Sequence, residues 1–96
     1  MRIISQNGRV DLPYEQIAIA IDYDYKMTII AYAVNSDDDT IWKLAEYSTK
    51  EKAEKAMEML RTEYGNYQQA IDRNGQLLTY SFNYPKVFRF PQDSGV

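Results

Sequence analysis

Glu15-Gln16-Ile17-Ala18-Ile19-Ala20-Ile21-Asp22-Tyr23 decides the fold class. Ile17, Ile19, Ile21 and Tyr23 fall on one side of the chain, and Gln16, Ala18, Ala20 and Asp22 on the other. A period of two marks a strand with one buried face, because successive Cβ atoms point to opposite sides. After a turn at Asp24-Tyr25-Lys26, residues 27–34 read as a second strand. It is apolar on both faces, with Met27, Ile29, Ala31 and Ala33 against Ile30, Tyr32 and Val34. That predicts a central strand covered on both sides, or a face used for association. Asn35-Ser36-Asp37-Asp38-Asp39 is a polar turn, and residues 40–47 form a third strand carrying Ile41, Trp42, Leu44 and Tyr47. Three strands joined by short turns predict an antiparallel meander.

Upstream lie Met1-Arg2-Ile3-Ile4-Ser5-Gln6-Asn7-Gly8 and Asp11-Leu12-Pro13-Tyr14-Glu15. Asn7-Gly8 predicts a hairpin with strands at 2–5 and 9–12, since both residues tolerate the positive φ of a type I′ turn. Pro13 is expected to end the ladder. Downstream, Ser48-Thr49-Lys50-Glu51 reads as a capping box, with Ser48 and Glu51 each bonding the other's backbone N–H. Ala53, Ala56, Met57, Leu60, Tyr64, Tyr67 and Ile71 then recur every three or four residues, the stripe of an amphipathic helix. Lys50, Lys52, Glu54, Lys55, Glu58 and Arg61 fill its outer face. Gly65 costs about 1 kcal/mol in a helix interior, yet the stripe keeps its phase beyond it. The helix is therefore expected to run from Thr49 to Arg73 and stop at Asn74-Gly75. Such a helix would be about 37 Å long, more than the roughly 32 Å breadth of a compact domain this size. The overhang predicts a homo-oligomer, a dimer or higher, joined through helix 49–73. Strands at 77–82 and 87–90 follow, and residues 92–96 are expected to fray. Residues 1–96 thus read as a single α+β domain. It has an antiparallel β-sheet (N-terminal hairpin plus three-stranded meander, short C-terminal strands) packed with one long α-helix.

Composition narrows the function classes. The chain carries 11 basic and 14 acidic residues, a net charge of −3, so it lacks the basic excess of a nucleic-acid polymer binder. It contains no cysteine, which removes disulfides and thiol chemistry, and no histidine, the commonest general base and metal ligand. No apolar run is long enough to span a membrane and no signal peptide is visible, so a cytoplasmic protein is expected. The Asp37-Asp38-Asp39 triplet lacks the alternating ligands and terminal glutamate of a calcium loop and reads as solvated. Serines and threonines lack a supporting base, the paired carboxylates Asp22 and Asp24 read as structural, and the glycines are scattered. Neither catalysis nor a cofactor is expected. Binding is the better prospect. On a strand, Arg89 points opposite to Phe88 and Phe90. An arginine fork grips phosphate and aromatic rings stack on bases, and Arg73 and Asn74 at the helix end would add donors nearby. The other reading makes both phenylalanines core and Arg89 a surface cation.

Three blocks carry a resemblance: the opening M-R-I-I-S-Q-N-G with D-L-P-Y-E, Ala45 to Ala53 running on to Leu60, and Phe88-Arg89-Phe90-Pro91. They resemble a family of short phage and prophage proteins of Gram-positive bacteria. That family in turn is similar to the first-described Thoeris anti-defence sponges of phages. The resemblance implies a non-enzymatic protein, in the cytoplasm of the host bacterial cell, that sequesters cyclic nucleotide immune signals. Those are cyclic ADP-ribose isomers and, for some members, cyclic oligonucleotides, held between protomers of an oligomer. It makes Arg89 the first candidate for a phosphate contact, Phe88 or Phe90 the neighbour of a base, and Arg2 and Arg9 candidates for a second site. The chain is shorter than many such proteins between the helix and the last strand, where a pocket wall could be missing. Two other functions stay open: an inhibitor that binds a host defence enzyme, and a phage accessory protein with no ligand.

Overall fold

In a computed structural model the protein is described over residues 1–24, 27–34, 39–69 and 87–96, the side chains of 67–69 excepted. It is α+β, with two three-stranded sheets and one helix. The strands are β1 (Arg2–Ile4), β2 (Asp11–Pro13), β3 (Ile17–Asp22), β4 (Thr28–Ala33), β5 (Ile41–Glu46) and β6 (Val87–Arg89), and the helix is α1 (Lys50–Gln69). The alternating segment forms β3, and β3-β4-β5 is the expected antiparallel meander with β4 at its centre. A bulge in β5 beside Ile29 and Ile30 lets both Leu44 and Ala45 reach the core. The second sheet has the order β2-β1-β6 and is mixed: β1 runs antiparallel to β2 and parallel to β6.

The core lies between the sheets and one stripe of α1. Ile3, Ile29, Ala31, Leu44, Ala53, Ala56, Leu60 and Phe90 are almost wholly buried. One side of β4 is therefore covered, where the sequence predicts cover on both or a face used for association. The other stays open among the described residues, where Tyr32, Val34 and Ile41 are 43%, 50% and 62% exposed. Among these residues no helix is long and apolar enough to cross a membrane.

Four local expectations are corrected. The hairpin turn is not type I′: Gly8 has φ 78°, but Asn7 keeps a negative φ. Ser5 organises the turn instead, its carbonyl accepting from Gly8 N–H and its hydroxyl from Val10 N–H. The strands are shorter than 2–5 and 9–12, at Arg2–Ile4 and Asp11–Pro13; the ladder does end at Pro13, which pairs with Arg2 where an edge tolerates its missing N–H. The helix cap is Thr49, whose hydroxyl accepts from Lys52 N–H, so Ser48 and Glu51 form no capping box. Asp93 has claimed Ser48, accepting from its N–H at 2.7 Å and its hydroxyl at 3.1 Å. By the same contacts the tail is tied down rather than frayed.

The helix passes through Gly65 unbroken, in agreement with its apolar phase. Its 20 residues are about 30 Å long at 1.5 Å each; the overhang expected of a helix reaching Arg73 falls on residues outside those described. The expected helix end at 70–73, the Asn74-Gly75 stop, the strand at 77–82, and most of the loops at 24–26 and 35–39 lie outside the described residues.

Candidate functional site

β6 is a strand because Val87-Phe88-Arg89 alternates and because β1 offers it a parallel edge. Alternation sends Phe88 inward beside Ile3 and Val87 and Arg89 outward. Phe88 and Phe90 meet edge to face, with ring centroids 5.2 Å apart, and are 6% and 1% exposed. Both rings are core. Phe90 has no surface to offer a base, which corrects the expectation that it stacks on one, and Phe88 reaches solvent only at its rim.

Arg89 is exposed, and its Nη2 donates to the Gln6 carbonyl at 3.4 Å, a long and weak bond. The guanidinium lies over Gly8, where a Cβ would stand 3.2 Å from Nη2. The bare glycine therefore admits the arginine as well as the positive φ. Among the described residues Arg89 forms no ion pair. Arg2 sits on the same outer face, since Arg2 pairs with Val87 and Ile4 with Arg89. The sequence assigned these two arginines to different sites, and the structure brings them onto one sheet face. Arg2 is already engaged, with Nε donating to Asp11 Oδ1 at 2.8 Å. Arg9 is exposed in the hairpin loop, its backbone N–H donating to Asn7 Oδ1 at 2.9 Å. Arg73 and Asn74 lie outside the described residues.

A cleft of about 520 Å³ runs between β6 and one flank of α1. Lys55, Glu58, Met59, Thr62 and Glu63 line it from the helix, and Val87, Phe88 and Arg89 from the strand. Its size falls in the range of about 300–1,000 Å³ typical of small-molecule sites. Lys55 and Arg89 supply positive charge, Glu58 and Glu63 supply acceptors, and Met59, Val87 and Phe88 form an apolar floor. Such a lining can hold a ligand that carries phosphate, hydroxyl or amino groups and a flat apolar ring, which a bare phosphate is not. Among the described residues no group of three metal-ligating side chains occurs.

The helix half of this cleft was missed in the sequence, where Lys55 and Glu58 read as outer-face charges. The signal available was the row 55-59-62, beside the buried stripe 53-56-60 and therefore at its margin. Nothing local to the helix announces that residues 87–89 lie opposite. The chain matches no protein-family model, no curated protein and no solved structure.

Proposed function

We propose that this protein is a non-enzymatic phage anti-defence protein that binds and sequesters a cyclic nucleotide immune signal in the host cell. The ligand class is the cyclic ADP-ribose isomers, with cyclic oligonucleotides as its extension. The observation that carries the reading is the cleft that Arg89 and Lys55 share over an apolar floor. A sequestering protein needs donors for phosphate, acceptors for ribose hydroxyls and a rigid frame, and no nucleophile. The absence of histidine and cysteine from the chain suits that demand, and the likeness to anti-defence sponges names the ligand class.

Native mass spectrometry of the protein with each candidate nucleotide reads ligand and copy number together. Binding by at least one is expected. Arg89→Ala should weaken it about 30-fold or more, as for a charge left without its partner. Lys43→Ala, on β5 outside the cleft, should leave affinity unchanged. No binding by any of these nucleotides would overturn the reading. A second reading, an inhibitor that docks on a host defence enzyme, is favoured by the open face of Tyr32, Val34 and Ile41. It predicts a complex with such an enzyme that survives Arg89→Ala and is lost in Tyr32→Asp.

A further inference from the structure

Among the described residues β3 ends its sheet, and its free side is an unguarded strand edge. The bond from Val34 N–H to the Gln16 carbonyl sets the phase of the ladder. Ala18, Ala20 and Asp22 exchange main-chain bonds with β4, and Ile17, Ile19 and Ile21 turn theirs outward. The Tyr47 N–H to Met27 carbonyl bond on the far side of β4 gives the same phase. Among the described residues only the Ile17 N–H of these outward groups is taken, by the Tyr14 carbonyl. Natural edges are blunted by charge, proline or a bulge. Ile17-Ala18-Ile19-Ala20-Ile21 has none of these.

We infer that this edge pairs with the same edge of a second copy, antiparallel about a two-fold axis through Ile19, to make one continuous six-stranded sheet. The segment is its own complement. Reversed about Ile19 it reads the same, so isoleucine meets isoleucine on the helix side and alanine meets alanine on the other. Ile19 N–H then donates to the carbonyl of the partner's Ile19, and Ile21 N–H to that of the partner's Ile17, each twice by symmetry. The committed Ile17 N–H is not required.

Charge follows the same axis. Two grooves flank β3 where α1 lies beside it. Ile21 and Tyr23 share one with Glu54, Met57, Glu58 and Arg61, and Tyr14, Ile17 and Ile19 share the other with Met57, Leu60 and Arg61. The Tyr23 hydroxyl donates to Glu54 and the Tyr64 ring packs on Tyr14 at 4.3 Å, so α1 runs from the Ile21 end toward the Ile17 end, with Glu54 at the first and Arg61 further along toward the second. The two-fold exchanges those ends and sets Glu54 of one copy against the partner's Arg61, in both directions. Half-buried Met57, which with Arg61 lines both grooves, is covered in the pair. This inference does not rest on the ligand reading: its pairing groups lie on β3, and of the β6 cleft's lining only Glu58 also borders a groove beside β3.

Sedimentation equilibrium of the full chain without ligand tests it. A dimer is expected. Arg61→Glu should weaken the dimer about tenfold or more by setting like charges together, and Glu54→Arg with Arg61→Glu should restore it. Ile19→Pro, which removes an outward N–H and no ladder bond, should abolish the dimer while cooperative unfolding persists. The charge exchange decides the matter if Ile19→Pro does not fold. A chain still monomeric at about 100 µM, where even a weak specific contact is populated, overturns the inference. So does a dimer indifferent to Arg61→Glu.

Discussion

Gln6 joins three separate parts of the molecule through hydrogen bonds. Its N–H donates to the Leu44 carbonyl at 2.7 Å and its side-chain oxygen accepts from Glu46 N–H at 3.1 Å. Its amide nitrogen donates to the carbonyls of Glu46 and Pro91, and its own carbonyl accepts from Gln92 Nε2 at 2.9 Å. One loop residue thus ties the β2-β1-β6 sheet to β5 and to the tail. Gln6→Ala leaves the Glu46 N–H without this acceptor, and a part-buried donor so stranded costs about 1–3 kcal/mol. A lower urea midpoint with an unchanged m-value is the expected result, and an unchanged midpoint would contradict it. No pattern in the sequence could reveal this role. The partners lie 40 and 85 residues away, and a glutamine before Asn-Gly reads as ordinary turn polarity. Phe88 and Phe90 were half legible by contrast. Alternation fixed their common side, and only packing showed that this side was the core.

Elements were legible wherever one buried face imposes a period. The alternation of β3, the two-sided apolarity of β4 and the stripe of α1 each announce themselves. What was hidden is how the elements join. β6 is a three-residue strand, too short to encode either its neighbour or its parallel direction beside β1. The cap of α1 moved from Ser48 to Thr49 because Asp93, 45 residues on, competes for Ser48. Gly65 is the opposite case, where a local signal for a break yields to the helical stripe around it. It stands exposed in mid-helix, and a Cβ there would meet nothing within 4 Å. Gly65→Ala should therefore stabilise the fold by about 0.5–1 kcal/mol, through helix propensity and a less mobile unfolded chain. Thermal unfolding at several scan rates would show the gain, and a loss would mean that the glycine serves a contact outside the described helix.

At the scale of the whole molecule the C-terminal segment closes the fold. Tyr47 hydroxyl donates to the Pro91 carbonyl at 2.8 Å, and Lys52 Nζ donates to both the carbonyl and the carboxylate of Asp93 at 3.0 Å. These contacts make the closure sensitive to pH at both ends. The Ser48 N–H, first, and the Lys52 ammonium hold the Asp93 carboxyl below its ordinary value. A carboxyl depressed in the fold binds protons more readily once unfolded, so its contribution is complete above the unfolded value, near 4, and drains away as pH falls through the folded one. Burial, and then the charge of Asp93, push the Tyr47 phenol up to about 12. A phenol raised in the fold ionises first in the unfolded chain, so its contribution is complete below about pH 10 and is lost as pH climbs toward 12. Melting temperature against pH should thus hold level between these limits as far as the clasp is concerned. Asp93→Asn should flatten the acid limb and leave most of the alkaline limb, whereas Tyr47→Phe should flatten the alkaline limb alone. If each variant instead lowered stability by the same amount at every pH, the clasp would act through shape, and the charges at the tail would be incidental to it.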